Sequence, residues 1–230
     1  MHVAGLLLAA GAGSRLGTPK ALVILDGQPL VARGAGLLAA AGCVPVLVTV
    51  GAAADEVLAA LAGAVPRGPG EPPAAQVAQA PQVVRVDGWA EGVGASLRAG
   101  LGALGPAAAP AVDAVVVTLV DQPFVSPVLV RRLITAAGGA GRPAAVVAGY
   151  GGQPRNPVLL RREIWPEVTR LAVGDVGARA WLRAHPERVL VVGCDDVGRP
   201  DDLDTPADLA RLGAATPGRP DQGTGLAGAS

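Results

Sequence analysis

Short apolar runs alternate with alanine- and leucine-rich segments of helical length along most of this chain. Continuous apolar runs that end in turn residues are typical of strands buried on both faces of a parallel sheet. The run at residues 114–120 is the most apolar and β-branched, which predicts the central strand. This alternation predicts an α/β fold in which a mostly parallel central sheet carries helices on both faces.

The boundaries of the predicted elements follow from apolar periodicity and from turn and cap residues. Strands are predicted at residues 3–10, 44–50, 83–87, 114–120, 144–148, 157–160 and 189–192. Helices are predicted at residues 29–41, 54–61, 93–104, 178–184 and 205–212, and one more begins at Ser126-Pro127. A chain of 230 residues is long enough for one such domain, which we place at residues 1–212. Residues 66–73 are predicted to form a surface loop, and residues 213–230 a disordered tail without periodicity.

Composition and charge argue against several classes of protein. The formal net charge is +0 and aromatic residues make up only 2% of the chain, so nucleic acid is not a predicted partner. No apolar run approaches the roughly 20 residues that a membrane-spanning helix needs, and no basic region precedes the first apolar segment. We therefore predict a cytoplasmic protein. Cys43 and Cys194 lack metal-ligand spacing and are predicted to be small buried thiols.

A glycine-rich loop follows the first predicted strand and is the strongest functional signal in the sequence. Its glycines are Gly11, Gly13 and Gly17. Such a turn can direct several backbone N–H groups toward phosphate oxygens, and Arg15 and Lys20 add two cations. Lys20 is the only lysine in the chain. The spacing matches neither a Walker loop nor the dinucleotide-binding fingerprint, and by itself a Gly-x-Gly turn could simply connect a strand to a helix.

The run from Leu8 to Lys20, followed by Leu25-x-Gly27-x-Pro29-Leu30, resembles the signature of nucleotidyltransferases with a Rossmann-like fold. The most similar branch is the molybdenum cofactor cytidylyltransferase family, which is related to the molybdenum cofactor guanylyltransferases. The resemblance implies a single Rossmann-like nucleotidyltransferase domain. The nucleotide-binding residues that it implies are Leu8, Ala9, Ala10, Gly11, Gly13, Ser14, Arg15, Lys20 and Ser96.

Three further segments carry the resemblance. The segment from Trp89 to Leu101 is similar to the base-contacting segment and contains Ser96, although Val93 and Ala95 stand where methionine and serine are common. Asp121-Gln122-Pro123 resembles the magnesium station, with Val120 in place of the usual glycine. Residues 202–209 resemble the C-terminal signature, in which Asp204 completes the metal site. The resemblance therefore implies Mg²⁺, or alternatively Mn²⁺, on Asp121 and Asp204.

Local roles compete with these assignments. Either Asp204 or Thr205 could cap the last helix, and an aspartate such as Asp121 could cap the turn after its strand, although Ser126 is better placed to do so.

The remaining similar segments imply a site for a second substrate. Asn156, Asp175 and Arg179, together with Arg155, lie in segments that resemble the acceptor-binding part of the family. The implied substrates are CTP and molybdopterin cofactor, and the implied products are molybdopterin cytosine dinucleotide and pyrophosphate. The implied catalytic residues are Arg15, Lys20 and Asp121.

The sequence is compatible with several alternative functions. One is guanylyl transfer, although Ala10 stands where the guanylyl branch tends to have glycine. A second is another phosphorylated acceptor, such as a sugar, a polyol or a cofactor precursor. A third is a non-catalytic nucleotide-binding protein that assists cofactor insertion. A molybdenum hydroxylase or its insertion chaperone is the expected protein partner.

Overall fold

The computed structural model describes residues 1–63, 80–105 and 112–214. The predicted surface loop at residues 66–73 and the part of the predicted tail beyond residue 214 lie outside these ranges. The last helix extends to Ala214, two residues past the predicted end of the domain. Within the described ranges, no helix combines the length and the apolar character needed to span a membrane.

The strands and helices follow the predicted order. The strands are β1 (Val3–Leu8), β2 (Ile24–Leu25), β3 (Gln28–Pro29), β4 (Val46–Val50), β5 (Gln82–Arg85), β6 (Ala114–Leu119), β7 (Ala145–Tyr150), β8 (Gln153–Arg161) and β9 (Val189–Gly193). The helices are α1 (Leu30–Ala40), α2 (Ala54–Gly63), α3 (Val93–Ala103), α4 (Pro127–Ala137), α5 (Trp165–Leu171), α6 (Arg179–Ala184) and α7 (Pro206–Ala214).

The main sheet has the strand order β5-β4-β1-β6-β8-β7-β9. Every neighbouring pair is parallel except the two that involve β8, which runs antiparallel to both β6 and β7. A two-residue turn explains this reversal, because Gly151 and Gly152 have φ values of +54° and +75°. Positive φ at both central positions is the requirement of the tight turn that joins antiparallel strands. The predicted α/β class with a mostly parallel sheet is confirmed.

Apolar side chains form one core layer on each face of the sheet. On one face, Leu7 packs in a cluster with Leu38 of α1 and Leu129 of α4. On the other face, Leu6 packs in a cluster with Leu97 of α3 and Val168 of α5. Alternate residues of β1 therefore point to opposite layers, as the two-residue period of a strand requires. Helices cover both faces, as predicted.

Helix α5 and the β2–β3 hairpin were not predicted from the sequence. Helix α5 is only seven residues long and includes Pro166 in its first turn, so it lacks a long periodic signal. Its place in the structure depends on burial of Trp165 and Val168 against the sheet.

The position of the site follows from the strand order. After β1 the chain builds β4 and β5 on one side, and then returns to place β6 on the other side of β1. The loops after β1 and β6 therefore diverge at the carboxyl edge of the sheet, which is where open α/β folds form a ligand crevice.

Candidate active site

A cavity of about 490 Å³ lies at this crevice, and we call it the nucleotide cavity. It is lined by all but one of the predicted nucleotide-binding residues, and also by Asp121 and Asp204. The exception is Ala9, whose side chain is buried in the same core layer as that of Leu7. Ala9 lies two positions after Leu7, and residues two apart in extended backbone point to the same face. The cavity also has lining residues that the sequence did not single out as contacts: Trp89, Gly92, Val93, Leu119 and Val120.

The loop after β1 is closed by its own backbone. The carbonyl of Gly13 accepts hydrogen bonds from the N–H groups of Leu16 at 2.9 Å and Gly17 at 3.0 Å. Gly13 has φ of +64°, and a Cβ atom there would lie 1.9 Å from the carbonyl oxygen of Thr18. The N–H groups of residues 11–15 donate to no acceptor that the structure describes. Helix α1 begins only at Leu30, so a ligand at this loop would meet free amides rather than a helix terminus.

Lys20 joins the two predicted metal-binding aspartates. Its Nζ donates to Asp121 Oδ2 at 2.7 Å and also forms a very short hydrogen bond to Asp204 Oδ1. The Lys20 side chain is only 16% exposed, whereas the Arg15 side chain is 80% exposed and lies 3.9 Å from Asp204 Oδ2. Burial lowers the pKa of Lys20, but hydrogen bonds and charge attraction to the two aspartates outweigh this effect and raise the pKa above its usual value. The lysine is therefore a fixed cation in this site.

A buried leucine holds the C-terminal aspartates in place. The backbone N–H of Leu203 donates to the carbonyl of Asp121 at 2.8 Å. The Leu203 side chain is fully buried in a small cluster with Val23 and Leu25. Because Leu203 is anchored, its neighbour Asp204 is held beside the end of β6, although Asp121 lies far away in the sequence.

Other side chains fulfil the capping roles that competed for these aspartates. Ser126 Oγ accepts from Leu129 N at 3.1 Å at the start of α4. At the start of α7, Thr205 Oγ1 accepts from Asp208 N at 3.2 Å, and Asp208 Oδ2 accepts in return from Thr205 N at 2.8 Å. This reciprocal pair is a capping box. The carboxylate of Asp204 is not used as a cap and stays in the nucleotide cavity.

The two aspartates fit a cation that is held jointly with phosphate. Asp121 Oδ1 is buried and has no hydrogen-bond partner among the described residues. No group of three or more histidine, cysteine, aspartate or glutamate side chains in the described part of the chain is arranged to hold a metal. One or two carboxylates plus substrate phosphates is a sufficient ligand set for Mg²⁺. The donor set therefore suits a metal that arrives with a nucleotide rather than a permanent metal centre.

The other end of the nucleotide cavity is partly apolar. Ser96, which is 4% exposed, lies in the first turn of α3, and its hydroxyl has no hydrogen-bond partner among the described residues. Ala10 is 3% exposed and packs with Ala95. Asp175 Oδ1 accepts from the N–H of Val93 at 3.4 Å, so this predicted acceptor-binding residue also supports the start of α3.

A second cavity, also about 490 Å³, lies next to the first, and we call it the acceptor cavity. Asn156 and Arg179 line it, and Leu119 lines both cavities. The register of β8 against β7 shifts between Val147 and Ala148, which leaves Asn156 and Pro157 unpaired, and a bulge of this kind can change the direction of side chains within a strand. A smaller pocket of about 60 Å³ shares lining residues with both cavities and is lined by Asp175, Asn156 and Arg179.

Some residues of the acceptor cavity were not predicted. Gln122 and Asp202 line it, as does Arg183. Gln122 and Asp202 belong to the two sequence segments that contain Asp121 and Asp204. The sequence did not show that Gln122 and Asp202 line a different cavity from Asp121 and Asp204.

Comparison with known proteins decides the family. Residues 5–189 match the family described as MobA-like NTP transferase domain. The chain belongs to this family. It is a nucleotidyltransferase, and the predicted relationship to the molybdenum cofactor nucleotidyltransferases is confirmed.

Individual relatives have different names. The nucleotidyltransferase is 34% identical over 216 residues to nicotine blue oxidoreductase of Paenarthrobacter nicotinovorans, with 91% of this chain and 96% of the relative covered. It is 33% identical over 214 residues to molybdenum cofactor guanylyltransferase of Rhodobacter capsulatus, with coverage of 92% and 95%. The crystal structure of Rv0371C of Mycobacterium tuberculosis H37Rv in complex with manganese is similar, with 27% identity and a TM-score of 0.70. That similarity covers 94% of this chain and 100% of the other.

Proposed function

We propose that this nucleotidyltransferase transfers the cytidylyl group of CTP to the terminal phosphate of molybdopterin cofactor, giving molybdopterin cytosine dinucleotide and pyrophosphate. The cluster of Lys20, Asp121 and Asp204 carries the proposal. It joins the only lysine of the chain to two carboxylates in a cavity with free loop amides. An adjacent cavity of the same volume offers arginine side chains to a second phosphorylated substrate.

The reaction needs alignment more than proton transfer. A phosphate oxygen of the acceptor bonds to the α-phosphorus of CTP, and the bond from that phosphorus to the bridging oxygen breaks, so that pyrophosphate leaves with the electron pair. A phosphomonoester has a second pKa of about 6, so the nucleophile is already anionic near neutral pH. The protein therefore has to position two anions against each other and offset their charge.

The residues divide this work between them. The amides of residues 11–15 would hold phosphate oxygens of CTP, and Arg15 is exposed enough to reach the leaving pyrophosphate. Lys20 would exchange its carboxylate partners for phosphate oxygens while keeping its positive charge. When bound, Mg²⁺ or Mn²⁺ on Asp121 and Asp204 would supply Lewis-acid neutralisation of the phosphates. The manganese complex of the mycobacterial protein supports this choice of cation.

Two residues at the base end of the nucleotide cavity support the choice of CTP. Ser96 Oγ can both donate and accept, which suits the amino and carbonyl groups of cytosine. The methyl group of Ala10 lines the cavity and reduces its width. Calorimetric titration with CTP and GTP tests this assignment, and tighter binding of GTP would make guanylyl transfer the better proposal, in line with the name of the Rhodobacter relative.

Pyrophosphate release is the direct test of the reaction. Purified protein is incubated with a divalent cation, molybdopterin cofactor and each nucleoside triphosphate in turn. CTP should give pyrophosphate, and Lys20→Ala should reduce the rate by two orders of magnitude or more, as removal of a charge-stabilising group usually does. Equal release by wild type and Lys20→Ala would overturn the enzymatic assignment. A panel of sugar, polyol and cofactor phosphates then separates the possible acceptors.

A second candidate activity comes from the relative named an oxidoreductase. Its similarity covers almost the whole of both chains, so the two proteins share the cavity-bearing fold. This activity can be tested with a reduced dinucleotide, NADH or NADPH, as the electron donor. Loss of absorbance of the reduced nicotinamide in the presence of a quinone-like acceptor would favour this activity. Such turnover should persist in Lys20→Ala, since hydride transfer does not need a fixed cation at the α-phosphate.

We further propose that the protein acts in the cytoplasm and passes its product to a molybdenum hydroxylase or to the insertion chaperone of such an enzyme. Cross-linking in a cytoplasmic extract tests this handover. The proposal fails if neither class of protein is captured while the product accumulates.

A further inference from the structure

The acceptor cavity combines an apolar wall with charged groups. Val147, Val158 and Val191 of the sheet contribute the apolar wall. Its volume of about 490 Å³ lies within the range of small-molecule sites. An apolar wall of β-branched side chains suits a flat ring better than a polyol, because a polyol would leave its hydroxyl groups without partners there.

Three arginine side chains in this cavity have no partner among the residues that the structure describes. Arg155, Arg179 and Arg183 all line it, and none of them forms an ion pair or a side-chain hydrogen bond with any residue that the structure describes. Guanidinium groups bind phosphate through paired N–H donors. The cavity can therefore bind the anionic part of a ligand as well as a ring.

The same cavity contains one carboxylate that is hydrogen-bonded to a buried side chain. Gln122 is 8% exposed, and its Nε2 donates to Asp202 Oδ1 at 2.9 Å. Both residues line the acceptor cavity. Their backbone neighbours are tied together by the hydrogen bond from Leu203 N to Asp121 O at 2.8 Å. Asp202 Oδ2 has no hydrogen-bond partner among the described residues, so one oxygen of a positioned carboxylate is available to a ligand.

A carboxylate in this position selects for hydrogen-bond donors. When ionised it can only accept, whereas the arginines can only donate. We propose that Asp202, positioned by Gln122, determines acceptor specificity by accepting hydrogen bonds from the amino and ring N–H groups of a phosphorylated heterocycle whose phosphate is bound by the arginines. This inference rests on the proposed function, in which the acceptor cavity binds the phosphorylated substrate. It assigns recognition of the ring of that substrate to one residue, Asp202.

A pair of ligand analogues tests the proposal through binding alone. The probes are a phosphorylated 2-amino-4-oxopteridine and the same compound without the 2-amino group, each titrated calorimetrically into wild type and Asp202→Asn. Wild type should prefer the amino compound by about 10- to 100-fold, which is the range expected for a hydrogen bond to a charged group. Asp202→Asn should lose most of this preference, because its amide can turn a donor toward the donor edge of the ring. The matched control is Asp201→Asn, which alters the neighbouring aspartate that pairs with Arg199 and does not line the acceptor cavity.

Three results would overturn the proposal. Wild type and Asp202→Asn could have equal preference ratios, or wild type could show no preference for the amino compound. The third is that Asp202→Asn loses as much affinity for CTP as it loses for the amino compound. The last result would assign Asp202 to assembly of the nucleotide cavity. Unchanged CTP affinity in Asp202→Asn also shows that the variant folds. The outcome is separable from that of the proposed function, because absence of pyrophosphate release by wild type would reject the transferase reaction without altering the ratio of the two pteridine affinities.

Discussion

Replacement of Gly13 by alanine should damage both the stability and the activity of the nucleotidyltransferase. An L-residue at φ of +64° costs about 1–2 kcal/mol. The added Cβ would lie 1.9 Å from the Thr18 carbonyl oxygen, well inside the 3.4 Å at which ordinary contact begins. Either the turn or the Thr18-Pro19 segment has to move, and Lys20 follows that segment directly. We therefore expect Lys20 to be displaced from Asp121 and Asp204.

The loss of stability in Gly13→Ala has a conformational part and a steric part, which a matched variant can separate. Gly17 has φ of +80° but has no atom within 4 Å of an added Cβ, so Gly17→Ala carries only the conformational cost. For a domain of this size, about 1 kcal/mol corresponds to a Tm change of about 2–4 °C, so Gly17→Ala should lower Tm by about 2–8 °C. Gly13→Ala should lower Tm further, and a displacement of Lys20, the proposed catalytic residue, by about 1 Å should reduce kcat/KM about 100-fold.

The assays are thermal unfolding and pyrophosphate release from CTP. Gly11→Ala is the second control, since Gly11 has neither positive φ nor a neighbour within 4 Å, and its Tm should stay at the wild-type value. A fall in CTP affinity for Gly11→Ala would show that a phosphate approaches the backbone closely at that position. Equal decreases in Tm and equal activities in Gly13→Ala and Gly17→Ala would show that the contact with Thr18 is irrelevant.

Three further predictions address other parts of the molecule. Ser126→Ala removes the cap of α4 and should reduce the free energy of unfolding by about 1 kcal/mol in urea titrations, with CTP affinity as the unaffected control. Ala10→Gly should raise the affinity for GTP relative to CTP by about tenfold in calorimetry, since one methyl group is worth about 1–3 kcal/mol in a tight pocket, and an unchanged ratio would reject the role of Ala10. Hydrogen bonds from Thr205, together with the Arg211 ion pair, lower the pKa of Asp208 to about 2. Its contribution to stability should therefore be complete above the usual pKa of 3.8 and vanish as pH falls toward 2, and Asp208→Asn should show a smaller loss of stability across that window.

Local patterns in the sequence were sufficient to predict the order of most strands and helices and the position of the loop after β1. Apolar periodicity and cap residues act over a few positions, which is why the start of α4 at Ser126-Pro127 was predicted and is confirmed. The family was also predictable, because its motifs are continuous in sequence. Helix α5 was missed because seven residues with an early proline carry too little periodic signal.

Contacts across long separations were decided by the tertiary structure alone. Lys20 lies 101 residues from Asp121 and 184 residues from Asp204, and only the placement of β6 beside β1 brings the three together. The two-residue turn before β8 reverses that strand, and the irregular part of β8 at Asn156 and Pro157 lies where the strand lines the acceptor cavity. The motifs indicated which chemical groups the protein would use. The strand order and the buried Leu203 side chain determine that Asp121 and Asp204 face one cavity while Gln122 and Asp202 face the other. The sequence could not predict this arrangement, because periodicity indicates which face of a single element is buried and not which elements become neighbours.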